Sequence, residues 1–436
     1  ILDLAIRGKL VPQDPNDEPA SVLLERIKAE KEQLIKDGKI KRSKKSASSD
    51  TSPYENVPFE IPESWVWTTI GDIFIHNTGK ALNAANNDGV LMDYITTSNL
   101  YWDKFDLTVV KQMLFTDTEI EKCTVKYGDL LVCEGGDIGR AAIWTYDYDV
   151  RIQNHIHRLR GFCNISHRFY YYIFLLYKML NLIGGKGVAI QGLSSNDLHK
   201  LVIPLPPIKE QCRIVSIIES WFSVIDRVEQ EKKDLCNAIK QIKSKILDLA
   251  IHGKLVSQDP NDEPAIELLR RINPSFKSCD NAHYKNLPSG WSICRLEDIV
   301  DYEQPQAYIV DSTDYSEDYP TPVLTAGKSF IIGYTNETDG ICDNLPVIIF
   351  DDFTTDSRFV DFPFKIKSSA MKILRVKKEI DIRYVGFYMS ITRLVGDTHK
   401  RYWISEYSKL PILIPPKAEQ ERIVQTVTDL LGKLDN

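Results

Sequence analysis

Long apolar runs and the motifs of common catalytic sites are both absent from this 436-residue sequence. The longest strongly apolar run spans only residues 169–177, whereas a membrane-spanning helix needs about 20 residues. No G-x-x-x-x-G-K-[ST] phosphate loop, G-x-G-x-x-G segment or Asn/Asp-Pro-Pro-aromatic motif occurs. The sequence therefore predicts no membrane span and carries no motif of a nucleotide-binding or amino-methyltransferase site.

Metal and disulfide frameworks are also poorly supported. None of the eight cysteines belongs to a C-x-x-C pair, which argues against a structural zinc site. Their scatter favours free thiols in a reducing cytoplasm. His155 and His157 could ligate a metal, but no third ligand stands at a fixed spacing from them. No secretory signal opens the sequence, and because it begins with Ile1 we expect the natural start to lie upstream.

The net charge of −7 argues against a protein that coats nucleic acid indiscriminately. It leaves room for a sequence-specific DNA-binding protein, because what matters there is where the positive charge lies.

Internal repetition is the strongest signal in the sequence. Residues 1–27 and 246–272 are identical at 22 of 27 positions, and both contain ILDLAIxGKLVxQDPNDEPA. PPIKEQCRIV begins at Pro206 and PPKAEQERIV begins at Pro415. A fainter P-x-x-W echo ends at Trp65 and at Trp291. Near-identity confined to these frame segments predicts one scaffold that carries two different bodies.

A heptad pattern follows the first PPxxEQxRIV segment. Ten of eleven positions taken alternately four and three apart are apolar, which predicts a long helix with a coiled-coil seam. Pro207 before it and Gly253 after it suit the two helix ends. The predicted seam consists of Ile214, Ile218, Trp221, Ile225, Val228, Leu235, Ile239, Ile242, Ile246 and Leu249, with Ile423, Val427, Leu430 and Leu434 in the C-terminal copy.

The head and the tail of the chain match the two ends of this helix. Residues 1–6 match its last turns and residues 415–436 match its first turns, so together they predict a split second helix that packs antiparallel to the first. Packing of the seam on a globular core is the alternative. Lys232, the polar seam position, either fixes the register or extends its amino group to solvent.

Two further segments precede the first body. Residues 17–37 predict a helix with an apolar face. Residues 39–52 are basic and then serine-rich, and they predict a linker or, alternatively, a nucleic-acid-binding arm.

The two bodies share no evident sequence similarity, but both mix strands with helices. Residues 130–132 and 347–350 predict strands, and residues 166–182 and 382–395 predict helices. Residues 133–140, rich in glycine, predict a turn between strands and not a catalytic site.

Charge is segregated along each body. Residues 60–149 carry 15 acidic and 6 basic side chains, whereas residues 150–200 carry 1 and 7. Residues 297–361 carry 15 and 2, whereas residues 365–401 carry 3 and 10. A basic face in each body is therefore predicted to contact phosphate, the alternative being an ordinary solvated surface.

Candidate DNA contacts are polar and cationic side chains in and around the glycine-bearing loops, because base edges are read by such groups. An ordinary structural or surface role is the alternative for each of them. In the first body they are Lys80, Asn99, Arg140, Gln153, Asn154, His155, Arg158, Lys186 and Gln191, and in the second Gln304, Gln306, Lys328, Asn336, Lys372, Lys400 and Arg401.

Two unrelated bodies between repeated helices with ILDLAIxGKLVxQDPNDEPA and PPxxEQxRIV resemble the specificity subunit of type I restriction-modification systems. The segments GDLLVCEGGDIGRAAIW (128–144) and FKIKSSAMKIL (364–374) also resemble its target recognition domains. The resemblance implies an α+β protein, a tandem pseudo-twofold repeat in which two mixed target recognition domains are separated by two long antiparallel coiled-coil helices. Its implied segments are 1–58 (end of the distal helix, short helix and linker), 59–205 (first domain), 206–286 (central helix and connector), 287–413 (second domain) and 414–436 (start of the distal helix).

The same resemblance implies function and partners. Each domain would read one half of a bipartite target in double-stranded DNA, and the helices would set the gap. The chain itself would be non-catalytic and bind no cofactor. Two modification subunits would dock on the helices, hold S-adenosylmethionine and flip out the target base, and restriction (translocase) subunits could join. The alternatives are a stand-alone methyltransferase or nuclease, and a coiled-coil adaptor that binds only proteins.

Overall fold

The computed structural model describes residues 1–41, 57–82, 88–183, 193–278, 287–327, 329–394 and 401–435. These form two compact units, residues 1–229 and 230–436. Residues 42–52 of the predicted linker or nucleic-acid-binding arm (39–52) lie outside the described residues.

The first unit combines short helices with short strands. Its helices are α1 (Leu2–Ile6), α2 (Ala20–Lys36), α3 (Ile70–Ile73), α4 (Asp117–Cys123), α5 (His167–Met179), α6 (Ser195–Lys200) and the start of α7 (Ile208–Ile251), which continues into the second unit. Its strands are β1 (Val66–Thr69), β2 (Phe74–Thr78), β3 (Val90–Ile95), β4 (Leu100–Tyr101), β5 (Lys104–Phe105), β6 (Lys111–Phe115), β7 (Thr124–Val125), β8 (Leu130–Cys133), β9 (Ala141–Ile143), β10 (Val150–Ile152), β11 (Ile156–Gly161) and β12 (Val202–Leu205).

The second unit has the same mixture. After α7 come the helices α8 (Ala265–Ile272), α9 (Leu296–Ile299), α10 (Ile382–Ile391), α11 (Tyr402–Ser405) and α12 (Lys417–Asp435), with 3-10 turns at Pro305–Tyr308 and Tyr407–Lys409. Its strands are β13 (Ser292–Arg295), β14 (Val300–Glu303), β15 (Thr321–Leu324), β16 (Ile331–Thr335), β17 (Val347–Asp351), β18 (Ser357–Val360), β19 (Lys365–Ile366), β20 (Met371–Val376) and β21 (Pro411–Ile414). The predicted α+β class is confirmed.

Although their sequences differ, the two bodies share a core topology, to which the first body adds β7 and the β4-β5 pair. A four-stranded antiparallel sheet has the order β2-β11-β8-β9 in the first unit and β14-β20-β17-β18 in the second. A second sheet places β3 antiparallel to β6 and parallel to β10, as β15 is to β16 and β19. A short ladder, β1-β12 or β13-β21, closes each body. The sequence analysis missed this relationship, because topology is retained by patterns of burial and not by residue identity.

A central strand covered on both faces explains the apolar runs that predicted β8 and β17. Leu130 and Val132 join the core cluster that contains α5, whereas Leu131 and Cys133 join a cluster beneath the other sheet. Alternate residues of a strand point to opposite faces, so a strand between two cores is apolar throughout. Residues 347–350 divide between two clusters in the same way.

The frame segments of the first unit meet at the start of α7. Trp65, 3% exposed, donates its indole N–H to Glu210 Oε2 at 2.9 Å. Arg213 contacts Asp17 at 2.6 Å between Nη2 and Oδ2. Burial raises the pKa of Glu210, and the donated hydrogen bonds oppose that rise. The P-x-x-W, QDPND and EQxRIV segments are thus one packed assembly.

The second unit repeats these contacts at the start of α12. Trp291 donates its indole N–H to Glu419 Oε2 at 3.0 Å, and Arg422 Nη2 lies 2.6 Å from Asp262 Oδ2. The near-identity of the frame therefore reflects a network of buried polar contacts that is built twice.

Glycine is required where the frame chain turns after ILDLAI. Gly8 and Gly253 have φ of +65° and +64°, the left-handed region that disfavours a side chain. A Cβ on Gly8 would also come within 2.3 Å of the Pro62 ring, and one on Gly253 within 2.5 Å of the Pro288 ring. This explains why both copies of the frame have glycine directly after the helix end.

The long helix is confirmed, with α7 spanning 44 residues. In the second unit α12 lies antiparallel to its end, because Lys243 contacts Asp435 while Leu247 and Ala250 share a core cluster with Val427. In the first unit α1 shares a core cluster with the start of α7. The head and the tail of the chain therefore pack on α7 as the repeat predicts. The predicted helix at 17–37 is α2, which begins three residues later because Pro19 precedes its first turn.

The predicted seam is buried only at its ends. Ile214, Ile218, Ile423 and Val427 are buried, and Ile239, Ile246, Leu249, Leu430 and Leu434 are half-buried. By contrast, the middle of α7 exposes Trp221, Ile225, Val228, Leu235 and Ile242. Within the described chain, α12 and α1 correspond to residues 208–226 and 247–251 of α7, which leaves the intervening stretch of seam without a counterpart.

Candidate nucleic-acid interface

One edge of the four-stranded sheet gathers loops in both units. In an antiparallel sheet, the end of one strand lies beside the start of the next. The end of β2, the end of β8 and the start of β11 therefore share one edge, which we call loop edge 1 (residues 79–82, 133–140 and 153–155). The equivalent loop edge 2 consists of residues 304–308, 351–356 and 367–370.

Backbone contacts hold loop edge 1 together. Lys80 N donates to Ile152 O at 3.0 Å, and Asn154 N donates to Lys80 O at 3.0 Å. A Cβ on Gly79 would lie 2.0 Å from Ile152 O, so the loops can approach this closely only with glycine there. This arrangement places the predicted residues Lys80, Gln153 and Asn154 side by side.

The Lys80 side chain is already paired within the fold. Its Nζ lies 2.6 Å from Glu119 Oε2 and 2.8 Å from Leu114 O. The hydrogen bond from Lys80 lowers the pKa of Glu119. Lys80 therefore lines the base of an open cleft, which also contains the exposed Lys122 and half-buried Asn154.

His155 and Arg140 occupy the rim of loop edge 1. The His155 side chain is exposed, and its Nδ1 lies 3.6 Å from Glu134 Oε2. Arg140 donates to Thr97 O at 2.6 Å, and its guanidinium lies 5.1 Å from the centre of the Tyr101 ring. Of these two predicted residues, His155 is exposed, whereas Arg140 is half-buried with its Nε atom inside the protein.

Tyr101 is a residue that the sequence analysis missed. It is 40% exposed, with the Lys104 amino group 5.9 Å from its ring centre and Arg140 on the same ring. An exposed aromatic ring beside two cations suits contacts with a nucleic acid. The spacing of Tyr101 and Lys104 was visible in the sequence, but only folding brings Arg140 to them.

Three of the predicted contacts are buried in the structure, and each donates hydrogen bonds inside the protein. Asn99 is buried, and its amide donates to Asp106 O and Val109 O while its oxygen accepts from Thr96 N. Arg158 is 4% exposed and donates to Thr124 O and to Asn77 Oδ1.

The third buried residue among the predicted contacts is Lys372. It is 1% exposed, and its amino group donates to Gln304 Oε1. None of these three side chains reaches the surface.

Loop edge 2 brings together predicted residues of the second body. Gln304 and Gln306 are exposed in the turn after β14. The guanidinium of Arg401, also exposed, lies 5.9 Å from the centre of the Phe353 ring. Tyr402 N donates to Asp352 O at 2.9 Å, which ties this segment to residues 351–356.

The remaining candidates are not gathered there. Asn336 is exposed but follows β16 of the other sheet. The predicted contacts Lys186, Gln191, Lys328 and Lys400 lie outside the described residues.

Among the described residues, many of the cations that predicted a basic face are paired with carboxylates of the same body. Because β2 pairs with β11 and β14 with β20, the acidic and basic halves of each body interleave. Cations of the later half pair with carboxylates of the earlier half. The pairs are Arg160–Asp129, Arg168–Asp103, Lys178–Asp137, Lys365–Glu337, Lys372–Asp352, Arg375–Glu303, Lys377–Asp301 and Arg393–Asp356. Acidic and basic side chains that are separated along the sequence are thus brought together by folding.

The two histidines considered as metal ligands have different environments. His157 is fully buried, whereas His155 precedes β11 and is exposed. Within the part of the chain that the structure describes, no group of three or more potential ligands is close enough to hold a metal ion. Nor does any described helix have the length and apolarity to cross a membrane.

Comparison with known proteins finds similarity to one family. Residues 62–237 match the family described as type I restriction modification DNA specificity domain. The type I restriction enzyme EcoAI specificity subunit of Escherichia coli is 25% identical over 534 aligned positions, covering 99% of this chain and 88% of that protein. The EcoR124I/EcoR124II specificity subunit of Escherichia coli is 47% identical over 139 residues, or 30% of this chain and 34% of that protein.

A solved structure supports the fold. A chain from a study of complex assembly and conformational transition in the type I R-M system superposes with a TM-score of 0.57. It is 17% identical, and the match covers 87% of this chain and 93% of that chain. These matches show that residues 62–237 carry a type I restriction modification DNA specificity domain, and that the chain as a whole is similar to type I restriction enzyme specificity subunits.

Proposed function

We propose that this chain is the non-catalytic DNA-recognition subunit of a type I restriction-modification complex, and that each unit reads one half of a bipartite target in double-stranded DNA. One observation carries the proposal. Amide and cationic side chains meet at the same edge of two sheets that share a topology but not a sequence. One framework with different polar groups at equivalent edges suits the reading of two different half-sites.

The chemistry of the two edges fits base reading. Asparagine and glutamine amides offer both a donor and an acceptor, and arginine offers several donors. These are the groups that distinguish base pairs in the major groove. At loop edge 1 they are Gln153, Asn154 and Arg140, and at loop edge 2 Gln304, Gln306 and Arg401.

The exposed part of the α7 seam supports partner binding. Trp221, Val228 and Leu235 are each more than half exposed, and such an apolar stripe on a helix is typical of a protein–protein contact. We propose that modification subunits, two in number, dock along this helix and supply S-adenosylmethionine and the methyl transfer. Restriction subunits would join the same complex.

Exchange of one body tests the division of labour. Replacing residues 292–413 with the matching segment of a relative should change only one half of the target, because each unit folds around its own frame. Methylation mapping of the complex with its modification subunits measures this. A change in both halves, with the protein soluble and assembled, would contradict independent reading.

Shortening the central helix tests the origin of the gap. Deleting seven residues between Ile214 and Leu249 removes about 10 Å of helix, equal to roughly three base pairs of DNA. We expect a shorter gap between half-sites or loss of assembly. An intact complex that methylates sites with the original gap would show that α7 does not set the spacing.

A further inference from the structure

The buried ammonium group of Lys372 lies directly behind an exposed glutamine. Lys372 is on β20 and is 1% exposed. Its Nζ donates to Gln304 Oε1 at 2.9 Å and lies 3.6 Å from Asp352 Oδ2. Asp352 is 2% exposed, and its other oxygen accepts from Trp403 N at 2.8 Å. A buried charge is costly unless it is paired and hydrogen-bonded, and here Asp352 and Gln304 supply both.

This contact fixes which way the Gln304 amide faces. An ammonium group has only donors. The amide atom that faces Lys372 must therefore be the oxygen, whichever way the amide would otherwise rotate. The NH2 group of Gln304 consequently points away from the core. An exposed glutamine would normally present either group, but this one presents donors.

We propose that Gln304 determines specificity in the second half-site as a fixed hydrogen-bond donor, with Lys372 as its positioning residue. This inference rests on the proposed function of loop edge 2. Donors match the acceptors of guanine (N7 and O6), of thymine (O4) or of adenine (N7), whereas cytosine offers its N4 amino donor in the major groove. Gln304 therefore selects a base with an acceptor and rejects cytosine at one position.

The first unit lacks this device at the equivalent place. The strand register pairs His157 with Thr78. In the second unit it pairs Ile373 with Glu303, so that Lys372 and Gln304 form the next pair along. His157 Nε2 lies instead 2.7 Å from Leu193 O, and its Nδ1 lies 3.0 Å from His76. Among the described residues at these equivalent positions, the fixed donor therefore occurs in the second unit and not in the first.

Substitution of Gln304 in the assembled methyltransferase complex tests the inference. Gln304→Glu keeps the pairing with Lys372 but presents only acceptors, so preference at one position should shift toward cytosine by roughly 10- to 100-fold. Gln304→Ala should abolish discrimination at that same position. Both variants should leave the first half-site and the gap unchanged. Relative methylation rates on a library randomised across the second half-site give the readout.

Two further variants complete the experiment. Lys372→Met lets the amide rotate and should relax the same position, a result that a purely structural role of Lys372 would not produce. Because Lys372 is buried, the melting temperature of the Lys372→Met protein is measured as well. If that variant does not fold, the two Gln304 variants decide the test. Gln33→Glu on α2 makes the same chemical change at an exposed site of the first unit and controls for net charge.

The outcomes separate this inference from the proposed function. If the wild-type complex yields no bipartite target, both are overturned. If it yields one, but Gln304→Glu and Gln304→Ala keep every wild-type preference in the second half-site, the inference alone is overturned. A shift confined to one base pair of that half-site supports both.

Discussion

Replacing Trp291 with alanine is expected to lower the free energy of unfolding of the second unit by about 3–5 kcal/mol, the usual loss for a buried tryptophan. The ring is 6% exposed and packs within the core cluster of that unit. Its loss leaves a cavity and deprives buried Glu419 of its indole donor. Trp65→Ala should affect the first unit in the same way, because Trp65 donates to Glu210.

Native-state hydrogen exchange read peptide by peptide measures each unit separately. Trp221→Ala is the matched control. Trp221 is 52% exposed, so its loss should change the stability of the isolated chain by no more than about 0.5 kcal/mol. If Trp291→Ala proved as mild as Trp221→Ala, the frame would not be the stabilising network that its repeated contacts indicate.

Mild acid should destabilise the first unit through its buried histidines. Leu193 O can only accept a hydrogen bond, so His157 Nε2 carries the proton, and His157 Nδ1 accepts from His76 Nε2. His157, with one protonated nitrogen and one accepting nitrogen, is therefore neutral, and burial favours the neutral form of His76 as well. Burial lowers the pKa of His76 to about 3, and burial also lowers the pKa of His157.

A histidine whose pKa is lower in the folded chain than in the unfolded chain makes folding less favourable at acid pH. Above pH 6.5 the unfolded chain also holds these histidines neutral, so folding is not penalised. Below pH 6.5 the unfolded chain takes up protons that folded His76 does not, and stability falls. The loss is about 1.4 kcal/mol per pH unit for each such histidine while the pH stays above its folded pKa.

Urea unfolding at pH 7.5 and pH 5.5 measures this loss. His76→Phe should remove its share of the acid sensitivity of the first unit. His252→Gln, at an exposed position of the second unit, should leave that sensitivity intact. Equal acid sensitivity of wild type and His76→Phe would contradict the neutral pair.

The frame could be predicted from the sequence because its physics is local and repeated. The heptad apolar positions marked α7, and Gly253 marked its end, since helix periodicity and caps depend on neighbours along the chain. The pairing of Trp65 with Glu210 was out of reach, because 145 residues separate them.

The candidate site could be predicted only where its signals are local in the sequence. Gln153, Asn154 and Gln304 were predicted because glycine-bearing loops next to predicted strands present polar groups, and their contact with DNA stays a prediction. The burial of Arg158 and Lys372 could not be predicted, since a cation in a strand looks the same in sequence whether its face is buried or open. Which face of β11 and β20 is covered depends on strand order, and that order is set by long-range packing.

The central claim is that this chain gives a methyltransferase a bipartite DNA target. The most direct test is single-molecule methylation mapping of DNA from cells that express the chain with its modification subunit, compared with cells that lack the chain. We expect a new methyladenine motif in two parts with a fixed unspecified gap. The absence of any new motif, with both proteins present, soluble and associated, would contradict the claim.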